Sequence, residues 1–313
     1  MKYITLLGDG MADYPLPELN GKTPLQVADT PNMDFIASKG VNGLLKTVPD
    51  GMSAGSDVAN LCILGYDPKK YYTGRGPLEA AAIGVKLDKG DIAFRCNLIT
   101  EKNGAIFDYS AGHISTGESK QLIKYLNDEL GTDKISFNLG ISYRHLLVIS
   151  GSEDVICVPP HDVVGGKVND NLPTGEGSDL LRELMLSSKD LLESHEINKS
   201  RIENYKNQAN MIWPWSQGRA PDMPLFEDLY GVNGAVVAAV HLIKGIGYYA
   251  GLDVVDVPGA TGYLDTSYYN KGKHAIDALK DHDFVFVHVE APDEAGHMGN
   301  IEEKIKAIES FDK

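Results

Sequence analysis

The chain has 313 residues, with 44 acidic against 29 basic side chains and a formal net charge of −15. Hydrophobic residues make up 42% and charged residues 23%, which excludes a disordered chain too poor in apolar groups to build a core. The acid excess argues against a nucleic-acid binder that works through bulk positive charge, and the length gives room for roughly two domains.

No stretch approaches the ~20 apolar residues that a bilayer-spanning helix needs. The apolar start of the chain stops at Asp9, short of a signal-peptide core. Cys62, Cys96 and Cys157 are too scattered for a disulfide framework or a CxxC metal knuckle. They read as buried free thiols in a reducing cytoplasm.

Residues 2–7 form an apolar, β-prone run that breaks at Gly8-Asp9-Gly10, a buried first strand entering a loop. Pro31 opens, and Gly40 closes, a short helix over 31–39. Val41 to Val48 gives a second strand candidate, followed by a turn at Pro49-Asp50-Gly51. Ser56-Asp57 reads as a helix opening, with Ser or Asp at the N-cap. Residues 66–77, rich in Pro, Gly and charge, read as a linker into a different unit.

Two strand-like runs around Lys102-Asn103-Gly104 predict a hairpin within 91–110. Leu122, Leu126 and Leu130 recur at helical spacing over 118–130. Two more strands are expected within 134–150, around Asn138-Leu139-Gly140, and a long amphipathic helix over 178–196. Residues 210–224 are rich in Trp and Pro. From 234 the chain is again small and apolar, and 283–290 (DFVFVHVE) reads as a buried strand. A last helix carries Ile301, Ile305 and Ile308 on one face. Buried strands and helices at both ends enclose a hairpin-rich middle. The expected fold is α/β, with a discontinuous outer domain (1–70 and 226–313) around an inserted α+β domain (71–225).

Asp9 follows the first strand, where ligands collect in open α/β sheets, and a carboxylate there suits a hard metal. Gly-Asp-Gly also fits a plain turn. Ser56 at a helix start can act as a nucleophile, since the helix N-terminus and a nearby metal both stabilise its alkoxide. A plain capping serine fits equally, and Ser53 competes for the nucleophile's role. Asp293 and His297 are spaced for one side of a helical turn, and carboxylate with imidazole suits zinc, manganese or cobalt. A solvated turn is the plainer alternative. His288 reads as a packed strand residue. Lys244, flanked by apolar residues and glycines, can face a buried anion or lie along the surface. Arg75, Arg95, His113, Arg144, His161 and Arg219 mostly stand beside Gly, Tyr, Phe or Pro rather than in charge runs, as placed cations for phosphate or carboxylate. Each can equally be a surface ion-pair partner. Trp213 and Trp215 read as core or interface packing.

Together these segments resemble cofactor-independent phosphoglycerate mutase of the archaeal type, within the alkaline phosphatase superfamily. LLGDGMAD, GMSAGSDVANLCILGYDP, YTGRGPLEAAAIGV, DYSAGHIST, PPHDVVGG, WPWSQGRAP, HLIKGIG and VHVEAPDEAGHMGN stand in order across nearly the whole chain. The resemblance implies interconversion of 3-phosphoglycerate and 2-phosphoglycerate without 2,3-bisphosphoglycerate. It implies two divalent metals, usually manganese, with cobalt, magnesium or zinc as alternatives. Asp9 and Ser56 would fall on one metal, Asp293 and His297 on the other. Ser56 would be the phosphorylated serine, and Lys244 would lie near the transferring phosphate. Arg95, His113, Arg144, His161, Asp162 and Arg219 would hold substrate in the insertion. The implied partner is a small phosphoglycerate, with no nucleic acid and no membrane, in the cytoplasm.

The family also uses a later Asp-His pair and a further histidine. Neither follows His297 here, and His161-Asp162 and Asp281-His282 are misplaced for that role. The phosphatase-like sheet domain is therefore expected to be cut short at its C-terminus, with weak metal binding and poor turnover. A metal-dependent phosphatase or phosphodiesterase, and a non-catalytic phosphoglycerate-binding protein, are the rival readings.

Overall fold

The computed structural model describes residues 1–151 and 155–313. Nine strands occur among them: β1 (Tyr3–Gly8), β2 (Asp91–Lys102), β3 (Ala105–Asp108), β4 (Ile135–Ile141), β5 (Arg144–Ser150), β6 (Met211–Gly218), β7 (Gly234–Val237), β8 (Asp253–Val254) and β9 (Phe284–Val289). The chain divides into two compact units, Met1–Tyr71 with Met223–Lys313, and Tyr72–Asp222.

The first unit holds a parallel sheet in the order β1-β9-β7-β8. β9 lies inside it with every residue buried, as its unbroken apolar run requires. β1 pairs with β9 in register from Tyr3↔Phe284 to Gly8↔Val289. Parallel neighbours need crossovers, and the helices His241–Tyr249 and Tyr268–Ala278 supply them. Ala275 of the second packs on Ala235, Val237, Val285 and Val287. The helix Pro31–Lys39 has no side-chain cap of its own. Asp312, at the end of the helix Ile301–Asp312, takes that role by accepting the Asn32 and Met33 backbone N–H groups at 3.1 and 2.7 Å.

The second unit is an antiparallel sheet around β2, its longest strand. β2 pairs with β5 over Asp91–Asn97, with β6 between Ala93 and Ile99, and with β3 over Thr100–Lys102. β4 extends the sheet beyond β5. The helices Thr116–Leu130 and Ser178–Glu193 give Leu122, Leu126, Leu181 and Met185 to a core shared with Phe94, Leu98, Ile106 and Trp213. Ser115 and Glu118 form a capping box at the start of the first helix.

Several expectations from sequence need correction. The first strand is not fully buried: β1 is an edge strand, and Tyr3, Ile4 and Leu6 stay about half exposed. Val41–Val48 forms no strand, and Val41 and Leu44 are fully exposed. Its alternation is strand-like, but no described strand pairs with its backbone. The 134–150 pair turns at Ser142-Tyr143, not at Asn138-Leu139-Gly140, which lies inside β4. Ser142 fixes the turn, its Oγ donating to the Ile114 carbonyl at 2.7 Å. Residues 66–77 do span the passage from one unit to the other, which falls between Tyr71 and Tyr72, but they are partly helical, in Pro68–Tyr71 and the start of Arg75–Ala82. The long helix over 178–196 stops at Glu193, and a new one starts at Glu196, capped by His195. Of the three free cysteines only Cys96 is fully buried.

His145 on β5 is buried, its Nδ1 accepts the Gly140 N–H at 3.1 Å, and burial pulls its pKa down to about 3. The unfolded chain therefore binds a proton here that the folded chain refuses, between pH ~6.5 and ~3. The neutral ring's contribution is complete above the upper value and is lost as pH falls. His145→Asn keeps an acceptor near Nδ1 and removes the titration. Urea unfolding between about pH 7 and pH 5 should show a smaller acid loss in the variant, by about 2 kcal/mol. Asp312→Ala should cost about 1–2 kcal/mol in the same assay at neutral pH, through the lost cap.

Candidate metal and phosphoryl-transfer site

Parallel pairing carries the carboxyl ends of β1 and β9 to one edge of the sheet, where the Asp9 N–H donates to the Val289 carbonyl at 2.9 Å. Asp9 Oδ2 lies 3.0 Å from His288 Nε2, and Glu290 Oε2 lies 3.3 Å from the same nitrogen. One donor atom from each of Asp9, His288 and Glu290 lies within 4.8 Å of the others. His288 Nδ1 and Glu290 Oε2 are buried with no hydrogen-bond partner. Ser56 is the first residue of the helix Ser56–Ile63, whose N-cap is Gly55, not Ser or Asp as expected. Its hydroxyl is thereby spared from capping and lies close enough to the Asp9 carboxylate to help hold its pKa down. Ser53 lies outside the helix and is exposed.

Asp293 and His297 belong to the helix Ala291–His297, with Asp293 Oδ2 3.2 Å from His297 Nε2. Asp293 backs directly onto Gly10. A Cβ at Gly10, where φ is +68°, would fall 2.3 Å from the Asp293 Cα. Asp293 thus joins the Asp9 neighbourhood, while His297 is largely exposed and outside the close group.

The electrostatics follow from crowding. Burial, then the Asp9, Asp293 and Glu294 carboxylates, push the Glu290 carboxyl up to about 8, against the pull of Lys271. Burial and Asp9 also raise Asp293. Burial acts to raise Asp9 as well, but its hydrogen bonds and the His288 charge hold it below the usual value. Lys271, buried behind β9, donates from Nζ to the His288 carbonyl at 3.1 Å, and burial pulls its pKa down to about 8. Carboxylates and an imidazole, crowded and short of partners, are the donor set of a divalent cation. The residues present fit one.

Lys244 lies in the helix His241–Tyr249, with Nζ 3.6 Å from Asp256 Oδ1. It lines a pocket of about 360 Å³ with Ala238, just past β7, and Pro258. In the second unit Arg95, His113, Arg144 and His161 are joined by a chain of rings. Arg95 lies 4.4 Å over the Trp215 ring, and His161 is 5.1 Å from it. Tyr109 links His161 to Tyr143, which meets His113 at 5.8 Å and Arg144 at 5.7 Å. Asp162 lies 3.7 Å from His161. Arg219 Nη1 donates to the Gly90 carbonyl, just before β2.

Sequence reasoning does not find Glu290 or Lys271, and takes His288 for packing alone. His288 is packed, but its ring also faces Asp9. The usable signal is alternation: His288 and Glu290 are two apart at the end of an otherwise apolar strand, so they share a face.

Comparison with known proteins points the same way. The family model described as 2,3-bisphosphoglycerate-independent phosphoglycerate mutase matches residues 37–198. A protein of that name from Methanosarcina barkeri is 57% identical over 100% of this chain and 79% of its own length. A second, numbered 2, from Methanothermobacter thermautotrophicus is 59% identical over 100% and 78%. Among solved structures, a Pyrococcus horikoshii protein superposes with a TM-score of 0.83 at 32% identity, over 99% of this chain and 76% of that one. The cofactor-independent phosphoglycerate mutase of Thermoplasma acidophilum gives 0.66 at 31%, over 100% and 82%.

Gly10→Ala should separate Asp9 from Asp293 and cost more than about 3 kcal/mol, since both the positive φ and the contact forbid a methyl group. Urea unfolding beside a Gly43→Ala control, where nothing lies within 4 Å, checks this.

Proposed function

The chain belongs to the 2,3-bisphosphoglycerate-independent phosphoglycerate mutase family, and we propose that it interconverts 3-phosphoglycerate and 2-phosphoglycerate through a phosphorylated Ser56. It is an isomerase, and the reaction needs no added 2,3-bisphosphoglycerate. The first unit is read as an alkaline-phosphatase-like metal domain and the second as the substrate-holding insertion. The observation that carries the reading is the place of Ser56: it starts a helix, is spared from capping, and lies close enough to the Asp9 carboxylate to lower its pKa, beside unpartnered metal-type donors.

Asp9, Ser56, Asp293 and His297 would hold two divalent cations, manganese by resemblance, with His288 and Glu290 as further donors. Such cations, when bound, lower the pKa of a hydroxyl and neutralise phosphoryl oxygens. Asp9 orients the Ser56 Oγ. That oxygen attacks phosphorus, the bond to the donor hydroxyl breaks, and the released oxygen takes up the proton that serine gives away. The other glycerate hydroxyl then attacks the phosphoserine and returns a proton to Ser56. Lys244 stabilises charge on the transferring group. Arg95, His113, Arg144 and His161 hold the glycerate while it turns, with Asp162 and Arg219 as outer contacts. The local arginines offset the −15 charge of the chain, which repels an anionic substrate. No described helix is long and apolar enough to cross a membrane, and a cytoplasmic site of action is part of the reading.

Phosphorus NMR of the purified chain with 3-phosphoglycerate and Mn²⁺ should show 2-phosphoglycerate appearing. Ser56→Ala should remove that turnover and any serine-bound phosphate seen by mass spectrometry. Turnover retained in the variant would sink Ser56 as nucleophile. Free phosphate forming faster than 2-phosphoglycerate would make the chain a phosphatase instead.

A further inference from the structure

Backbone strain in the second unit gathers around its ring chain. Ala111, His113, Ser142 and Ser216 all have positive φ, at 49°, 49°, 56° and 48°, without being glycine. Such conformations are costly and persist where the surroundings fix them. The surroundings here do. Asp108 accepts the Ser110 and Gly112 N–H groups at 2.8 and 2.6 Å, and Arg201 Nη2 donates to the Ala111 carbonyl at 2.6 Å. Ser142 and Ser216 each adjoin a ring of the chain, Tyr143 and Trp215.

Arg95 stands at one end of that chain, 8% exposed, on the fully buried stretch of β2. Its Nε lies 3.0 Å from Glu79 Oε1, yet makes no aligned hydrogen bond. Its guanidinium covers the Trp215 face, and the Trp215 indole is itself fixed by Nε1–H donating to Asn97 Oδ1 at 3.0 Å. Burial acts against the Arg95 cation, Glu79 acts for it, and the neighbouring Arg75 and Arg144 charges act against it. An arriving anion adds to the side of Glu79. A buried cation is costly unless paired, so the carboxylate and the indole together keep Arg95 charged and in place before any anion arrives.

We propose that Glu79 and Trp215 are positioning residues that hold the Arg95 guanidinium ready for the anionic substrate. This rests on the reading that the second unit holds phosphoglycerate. Neither residue touches substrate. Glu79 sets the direction of the guanidinium and Trp215 sets its plane.

The chain has two tryptophans, so Trp213→Phe leaves Trp215 as the only indole reporter. In that background, titration with 3-phosphoglycerate should change Trp215 fluorescence. Glu79→Asp, which keeps the charge and withdraws it, should weaken binding about tenfold and raise KM more than it lowers kcat. Trp215→Leu, read by calorimetry in the parent chain, should weaken binding similarly, and Trp215→Tyr should recover most of the loss. Circular dichroism melting identifies any variant that fails to fold. If the parent binds 3-phosphoglycerate and folded Glu79→Asp and Trp215→Leu variants bind it equally well, the positioning role is wrong and the substrate reading stands. If the folded parent shows no binding, the substrate reading fails and the positioning role with it.

Discussion

The in-register pairing of β1 with β9 is the constraint on which the first unit depends. It sets residues some 280 positions apart side by side and forces Asp9 against the end of β9. Because the strands are parallel, both release their side chains at the same edge. Asp9, Glu290 and Asp293 are therefore crowded where burial already disfavours charge. His288 and Lys271 compensate only in part, as the raised Glu290 and Asp293 carboxyls show. A fold selected for stability alone has no use for this crowding. A cation bound there, as proposed, would turn the mutual repulsion into shared attraction.

The second unit shows the same principle with the sign reversed. Arg75, Arg95 and Arg144 lie close enough to act on one another, with Glu79 against Arg95. Aromatic rings line the guanidiniums of Arg95 and Arg144. Each unit therefore gathers charge of its own kind, acidic at the parallel sheet and basic at the antiparallel one. Such local departures from good packing mark where a protein does chemistry.

What is legible in the sequence follows from the range of each interaction. The β2–β3 hairpin is readable because Asn103-Gly104 is a local turn signal, with Asn103 at φ 54°. The helix Thr116–Leu130 is readable from its leucine spacing. Asp9 and Ser56 can be singled out as candidates because strand ends and helix starts are local features, and the structure puts them at such places. Val41–Val48 misleads because alternation says nothing about whether a partner strand exists. Trp215 can be placed inside, but not under Arg95, since cross-strand register is invisible in a linear string. Glu290 escapes for the same reason: it matters only once Asp9 is known to sit beside it.

Everything proposed for the first unit requires the Asp9 cluster to be a divalent-metal centre. Isothermal titration of Mn²⁺ into the metal-stripped chain, beside Asp9→Asn, tests this most directly. Saturable binding by the parent is expected, with at least about tenfold weaker binding by the variant, the loss that follows when one charged ligand is removed. Absence of binding by the parent, or equal binding by Asp9→Asn with its fold intact, would contradict it.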